Sequence, residues 1–451
     1  MFLFALPVVL NAQYTFTTNT DGTLNISASS AYGAVTVPDT YNDLPITTIG
    51  YDAFHLGGVS SVTMGTNIVS VGIEAFMSCS ALKGVTFGSN TASIGNAAFM
   101  SCSELKNIVI PDSVTNFGVN VFMFDSQLKN ATLGNGVPGL PDYTFNDCTS
   151  LTNVVIGRNV ASFGKAVFTQ CPLLAITVDP QNQFYCSVDG VFFDKQQTAL
   201  ILYPVGKGGS GYTIPDSVTN IGMDAFYNCA SFTSITIPNH VTDIQNSAFL
   251  ACSGLTNVTF GSSVVNLGTA AFEGCSGLTS VTLPDSVATI GQYAFYNCTS
   301  LTNVIIGRGC NTIVGGAFLS CTALLGVYFQ GNAPGSSESF SQDGSATAYY
   351  LPGTLGWSSR FGDPYGLPTA PWFLPNPTIL NFEPNFGVQT NYFGFTISWA
   401  TNISVVVEAC TNLANSAWSP VATNVLTSGS SYFSDSQWAN YPDRFYRVRS
   451  P

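Results

Sequence analysis

Ala225-Phe226-Tyr227-Asn228-Cys229, followed by Phe232, Ile235 and Ile237, returns 23 residues later as Ala248-Phe249-Leu250-Ala251-Cys252 with Leu255, Val258 and Phe260. The unit recurs at Phe272/Cys275, Phe295/Cys298 and Phe318/Cys321. Upstream it stands at Phe76/Cys79, Phe99/Cys102, Phe145/Cys148 and Phe168/Cys171. Asp125 takes the cysteine slot after Phe122, and Gly57 takes it in a degenerate first copy at Phe54. Self-similarity at a fixed period of this length marks a solenoid or a propeller.

One copy, residues 278–298, shows what each part does. Leu278, Val281 and Leu283 form a short strand, with the last two side chains on one face and Thr282 on the other. Pro284-Asp285 reads as a turn, because the ring fixes φ and the carboxylate bonds nearby backbone. Val287 and Ile290 begin a second extended piece that ends at Gly291. Ala294, Phe295 and Cys298 then fall at helical spacing, which predicts about one turn of α- or 3₁₀-helix at a tight corner. The fold class expected is mainly β: a solenoid of 23-residue coils with short parallel strands, stacked about 4.8 Å apart. Eleven phenylalanine-marked coils would make a rod about 50 Å long at that spacing. A single coil cannot bury its apolar side, so stability must come from stacking. The phenylalanines and cysteines of the unit, from Phe76 and Cys79 to Phe318 and Cys321, are therefore assigned a structural role. The rings are expected to form a stacked spine, with the cysteines packed beside it as small apolar side chains.

The period breaks once, between Phe168 and Phe226. The extra residues, at about 180–212, carry Val188-Asp189-Gly190-Val191-Phe192-Phe193-Asp194-Lys195 and Leu200-Ile201-Leu202-Tyr203-Pro204. Asp-Gly between apolar runs predicts a hairpin. The glycine-rich run Gly206–Gly211 holds one lysine, Lys207, and no following helix, so it is a poor phosphate loop.

The string Ile-Pro-Asp-Ser-Val-Thr-x-Ile-Gly-x-x-Ala-Phe-x-x-Cys at 214–229, its copies across 51–330 and the insert together resemble the BspA-type leucine-rich repeat family of bacterial surface and secreted proteins. That resemblance implies a right-handed leucine-rich-repeat solenoid and a role in adhesion or protein binding. The Phe54 and Asp125 coils and a one-residue deletion after Cys171 depart from the family pattern.

Five segments follow. Residues 1–12 contain a short apolar run ending in a small residue and read as a signal-peptide remnant, although no basic residue precedes the run. Residues 13–50 alternate apolar and polar side chains and read as an N-terminal β cap. The repeats occupy 51–330. Residues 331–378 read as a C-terminal cap and Pro-rich linker. Residues 379–451 read as a small β-sandwich-like module. Trp399 in an early strand and Tyr446 in a late one give it a loose resemblance to fibronectin type III, with a last strand still expected after them.

Charged residues make up 8% of the chain, against about 25% in an ordinary globular protein. The net charge of −13 disfavours nucleic acid and anionic membrane as partners. No apolar run is long enough to span a bilayer. The two histidines, His55 and His240, sit in no metal-spacing motif. Nine of twelve cysteines fall in one repeat column, and Cys186, Cys310 and Cys410 do not. None has paired zinc spacing, and buried thiols are favoured over disulfides. Asp112, Asp216 and Asp285 recur after proline as turn residues rather than calcium ligands. No nucleophile elbow, paired carboxylates or dinucleotide fingerprint is present. No catalytic residue, metal or cofactor is expected.

What remains is surface. Between the inward positions of each strand, one outward column reads Thr86, Val109, Thr132, Val155, Thr236, Thr259, Thr282, Ile305 and Tyr328. A second reads Gly84, Asn107, Asn130, Asn153, Ser234, Asn257, Ser280, Asn303 and Gly326. The candidate binding residues are Asn107, Asn130, Thr132, Asn153, Thr236, Asn257, Thr259, Thr282, Asn303 and Tyr328, on a face expected to be concave. The expected ligand is a protein or glycan, bound by a secreted or surface-attached, monomeric, non-catalytic repeat protein. A purely structural envelope spacer is the alternative, since threonine is also simply a good exposed strand residue. An enzyme is the remote third reading.

Overall fold

The computed structural model describes residues 13–336, 338–340, 345–362, 366–414 and 417–450. The signal-peptide reading of residues 1–12 lies outside them. The described residues are strand and turn, with 3₁₀ segments at Val205–Lys207 and Trp438–Asn440 and no α-helix. Two compact units are formed. One holds the described residues up to Gly208 together with Asp224–Tyr227, and the other holds Gly209–Met223 and the described residues from Asn228 onward.

In the first unit Tyr14–Thr18 pairs antiparallel with Leu24–Ser29, which pairs parallel with Leu44–Ile49. Solenoid stacking then takes over on two sides of each coil. The longer side is the parallel ladder Asn107–Ile110, Asn130–Leu133, Asn153–Ile156 and Ala175–Val178. Asn107 pairs with Asn130 and Asn130 with Asn153, but Asn153 pairs with Ala175, so the ladder absorbs the deletion after Cys171 without losing face. The shorter side stacks Ser70–Val71, Ser93–Ile94 and Asn116–Phe117. Strand alternation sets what is buried: Ile108 and Ile110 are 2% and 1% exposed, while Val109 between them is 63% exposed.

The corners are where the structure departs from the expected helix. Each corner is a run of turns with two left-handed residues, such as Glu74 (φ 58°) and Ser78 (φ 58°) on either side of Phe76. The N–H groups of Glu74, Phe76 and Ser78 reach the carbonyls of Asn96, Ala98 and Met100 in the next coil at 2.8–2.9 Å. Those of Met77 and Cys79 close turns within their own coil. A helix would point every N–H along its own axis. Left-handed residues turn alternate ones toward the neighbour, and a bond to the next coil offsets the roughly 1–2 kcal/mol cost of that conformation.

Beneath the corners the phenylalanines stack as the spacing requires. Phe54, Phe76, Phe99, Phe122, Phe145 and Phe168 lie face to face with centroids 4.7–5.7 Å apart and planes within 17°. The insert forms the expected hairpin, Tyr185–Val188 against Val191–Asp194, around Asp189 (φ 50°) and Gly190 (φ 80°). Two positive φ values are what a tight two-residue turn between twisted strands needs. Ala199–Leu202 adds a third strand, and Tyr203 brings the aromatic stack back to Phe226 at 5.7 Å.

The second unit repeats the scheme. Ser234–Thr236 pairs with Asn257–Thr259, and Ser280–Leu283 begins a parallel ladder through Asn303–Ile306 and Gly326–Phe329. Parallel pairing goes on past residue 330 into the segment read as cap and linker, through Thr347–Tyr350 and Leu367–Pro371. The ring stack of Phe249, Phe272, Phe295 and Phe318 likewise gains Phe340, 5.0 Å from Phe318. The cysteine column does not follow it. Cys321 is its last member, because residue 343, at the equivalent position after Phe340, is an aspartate. Phe340 also escapes the motif because Ser339 stands where most other coils have alanine. Trp357 and Phe361 close over Phe329 at 4.9 and 4.8 Å, covering the last apolar interior.

The C-terminal module is two antiparallel sheets. Phe393–Ser398 pairs with Thr378–Leu380, Gly387–Val388 and Ser430–Asp435. Ile403–Cys410 pairs with Ser419–Leu426 and Phe445–Arg449. Phe395, Ile397, Val405, Val407, Leu426 and Phe433 fill the space between, with Tyr446 and Trp399 partly buried against them. Glu408 is buried and takes hydrogen bonds of 2.8 Å from both Arg449 and Arg447, which hold its carboxyl below the usual range.

Candidate binding face

Two columns, one inside and one outside, decide what this molecule can do chemically. The inner one is the cysteine column. Every cysteine is a thiol, and all but the half-buried Cys186 are buried. The expectation of apolar filler holds for burial but misses a polar contact. Seven of the column thiols also donate hydrogen bonds to the carbonyl of the preceding coil's phenylalanine. In the first unit Cys79 donates to Phe54 at 2.9 Å, Cys102 to Phe76 at 3.2 Å, Cys148 to Phe122 at 3.0 Å and Cys171 to Phe145 at 3.0 Å. In the second, Cys275 donates to Phe249 and Cys298 to Phe272, both at 3.3 Å, and Cys321 to Phe295 at 3.1 Å. Cys321 is thus a buried donor as well as a packing residue, and ties its coil to the one before. The physical reason is that a corner carbonyl facing the interior needs a donor, and the thiol is the side chain that reaches it.

Burial pushes the Cys79 thiol up to about 11 and the Cys102 thiol well above its ordinary range. Cys275 is also raised, first by its hydrogen bond with Cys252 and then by burial. Burial raises Cys229 in the same way. Thiols kept protonated and covered are poor nucleophiles and poor metal ligands.

Asp125 shows what the slot demands. Its side chain is fully buried, one oxygen accepts the Cys102 N–H at 2.7 Å, and the other has no hydrogen-bond partner. Burial drives its pKa well above the carboxylate range. Burial disfavours the charged form of a carboxyl here, in a space that elsewhere holds sulfur.

The two histidines stand in different surroundings, one in each unit. His55 contacts Asp52 at 2.5 Å in the first corner, and His240 is exposed in a turn of the second unit. Among the described residues, no group of three or more His, Cys, Asp and Glu is placed to hold a metal ion, and no helix is long and apolar enough to cross a membrane.

On the outer strand face the candidate residues fall into three states. Asn107, Asn130 and Asn153 are exposed but engaged with one another: Asn130 Nδ2 donates to Asn107 Oδ1 at 2.7 Å, and Asn153 Nδ2 to Asn130 Oδ1 at 3.2 Å. Asn303 is half-buried and donates to Thr302 Oγ1 at 3.0 Å. Tyr328 is committed to packing. Its ring leans over Gly326, where a Cβ would come within 2.7 Å of it, stacks on Tyr349 at 4.9 Å and meets the Trp372 edge at 5.1 Å. Thr132 is half-buried. The third state belongs to Thr236, Asn257, Thr259 and Thr282: exposed, on paired strands, and with no side-chain hydrogen bond among the described residues. Thr236 also borders an open depression of about 540 Å³ lined by Ser210, Tyr212, Asp216 and Ser234.

One further column was readable at the repeat spacing. The residue entering each strand is Lys83, Lys106 and Lys129 in three consecutive coils, then Thr152. In the second unit the same position holds Thr233, Thr256, Thr279 and Thr302. Three of these threonines bond back to the previous coil: Thr233 Oγ1 donates to Ser210 O at 3.2 Å, Thr256 Oγ1 to Thr233 O at 2.9 Å and Thr302 Oγ1 to Thr279 O at 3.0 Å. The three lysines are exposed and pair with no carboxylate among the described residues.

Residues 47–175 and 212–343, more than half the chain, match the family model for the BspA type leucine rich repeat region in six copies. No curated protein sequence matches. Among solved structures, the pneumococcal vaccine antigen PcpA aligns with a TM-score of 0.66 at 22% identity, over 76% of this chain and 93% of that one. A leucine rich cell surface protein from Faecalibacterium prausnitzii aligns with a TM-score of 0.57 at 29% identity, over 72% and 95%. A leucine-rich repeat protein from Eubacterium ventriosum gives 0.59 at 24% identity, over 73% and 86%.

Proposed function

Since the chain belongs to the BspA-type leucine rich repeat family, we propose that it is a non-catalytic, extracytoplasmic binding protein whose strand face recognises a protein or glycan. The observation that carries this reading is the uncommitted state of Thr236, Asn257, Thr259 and Thr282. Their hydroxyls and amide stand exposed on a hydrogen-bonded sheet, so a ligand gains polar contacts without having to order the surface first. The similarity to a leucine rich cell surface protein from Faecalibacterium prausnitzii supports the location. The covered thiols, kept protonated by burial, support a role without catalysis. We read the C-terminal sandwich as a fibronectin type III-like spacer or second recognition module, on its division into two sheets around Phe395 and Tyr446.

A second reading, a structural spacer, draws on the asparagine and threonine columns that satisfy one another. A glycan array and a pull-down with the full chain separate the two. Binding predicts a retained ligand that the double variant Thr259→Glu/Thr282→Glu no longer holds. No ligand retained at high micromolar concentration would leave the spacer.

A further inference from the structure

We propose that the lysine column of the first unit is a subsite for a linear anionic polysaccharide running along the coil stack. This deepens the binding-face reading above and rests on it. Three of the twelve cationic residues of the whole chain stand in one column, on consecutive coils. Phe76, Phe99 and Phe122 of those coils stack at 5.2 and 5.7 Å, and the Lys129 N–H bonds the Lys106 carbonyl at 2.8 Å. The column is therefore a row of ammonium groups rooted about 5 Å apart, the spacing of neighbouring strands.

Like charges opposite one another on adjacent strands repel. A neutral solution exists in the same fold, since Thr152, Thr233, Thr256 and Thr302 fill this register and bond the preceding coil. The lysines lack compensation from the protein. Glu104, the acid nearest along the chain, pairs with none of them among the described residues. A ligand carrying regularly spaced negative charges would supply what the protein does not. Beside the lysines run Asn107, Asn130 and Asn153; Asn107 and Asn130 keep an N–H beyond the ladder for hydroxyl or carboxylate oxygens, whereas Asn153 gives both of its own to Asn130 Oδ1 and Thr152 Oγ1. A uronate or sulfated glycan offers both chemistries. Single-stranded nucleic acid fits less well: it calls for aromatic platforms beside the cations, and the exposed residues that follow these lysines into the strands, such as Asn107, Val109 and Asn130, are not aromatic.

The test uses the full chain, with heparin and an oligogalacturonate as probes and oligo-dT as the competitor class, at several salt concentrations. Wild type should bind at least one glycan probe. The triple variant Lys83→Thr/Lys106→Thr/Lys129→Thr, which installs the protein's own alternative residue, should lose roughly tenfold or more at low salt. Its log–log salt slope should fall by about two to three, one counterion per lost cation. Unchanged binding in that variant overturns the proposal, as does tighter binding of oligo-dT than of either glycan, or no binding of either glycan at low salt. A neutral ligand lost from Thr259→Glu/Thr282→Glu but kept by the lysine variant would overturn the polyanion subsite and leave the binding-face reading standing. Circular dichroism of the triple variant confirms that the fold is retained. Should it unfold, Lys106→Gln alone must still cut glycan affinity measurably, or the proposal falls.

Discussion

The corner of each coil and its strand face obey different chemistry, although both are built from columns that repeat every 23 residues. In the corner, phenylalanine and cysteine recur because each side chain is matched to the coil next to it. Rings meet rings at 4.7–5.7 Å, and thiols such as Cys79 and Cys321 meet fixed carbonyls. On the strand face the same register holds asparagine, serine, threonine, valine, isoleucine or tyrosine. Only some of these copies engage their neighbours. Buried columns are constrained by the neighbouring coil, whereas exposed columns have room to answer to something outside.

The comparison is broken most severely by opening the ring stack. Phe272 is fully buried between Phe249 and Phe295, at 4.9 and 5.3 Å. Phe272→Ala should cost about 3–5 kcal/mol, read as an earlier denaturant midpoint and a split transition where coils uncouple. Thr282→Ala on the exposed face should stay within about 0.5 kcal/mol. Similar midpoints for the two variants would show that the corner does not hold the stack.

A smaller change sharpens what the cysteine slot requires. Asp125→Cys restores the thiol and removes a buried carboxyl oxygen that has no partner, a defect worth about 1–3 kcal/mol. The pH dependence gives the sign. An acid whose native pKa is raised binds its proton more tightly folded than unfolded. The stabilisation from that proton is complete below the unfolded value of about 3.9 and is lost as pH rises through the native value. The gain from Asp125→Cys should therefore be smallest near pH 4 and grow toward alkaline pH. Urea midpoints of both proteins across that range measure it, and a constant difference would mean that Asp125 is already ionised in the fold.

The thiols extend the same contrast to reactivity. Native protein at neutral pH should give a chromogenic disulfide reagent at most one fast-reacting group, the half-buried Cys186, and denatured protein should give all twelve. Several fast thiols in the native state would mean that the corners breathe open.

The inside-out assignment was legible because burial follows strand parity: the positions of Ile108, Val109 and Ile110 relative to their repeat mates decide it. The aromatic stack was legible from the constant offset of Phe99, Phe122 and Phe145. The corner conformation was not. Its left-handed positions are held by Glu74, Ala97, Asn120 and Tyr143, which share no side-chain property, and the conformation is imposed by hydrogen bonds to the next coil. The thiol bonds of Cys298 and Cys321 were hidden for the same reason, since their acceptors are backbone carbonyls that the corner geometry aims inward. Nor did residue type distinguish Asn130, committed to Asn107, from Asn257, whose neighbours at the same register are Ser234 and Ser280. Whether a polar side chain is engaged depends on the length of its counterpart one coil away. The lysine column lay in view at the repeat spacing, but a net charge of −13 describes the chain and not one face of it.

That asparagine contrast yields the smallest effect. Asn130 sits in mid-ladder, donating to Asn107 and accepting from Asn153. Asn130→Ala removes both bonds and leaves two partially exposed partners that water can satisfy, so the cost should be about 0.5–1 kcal/mol. Asn257→Ala removes no side-chain bond and should cost nothing measurable in stability. The order reverses for ligand binding, because an uncommitted amide is available to a ligand and a laddered one only in part. Paired melts and affinity measurements on the two variants read both halves. If Asn130→Ala leaves stability untouched while abolishing ligand retention, the ladder is itself a recognition surface, and the boundary between columns that build the fold and columns that face outward must be drawn again.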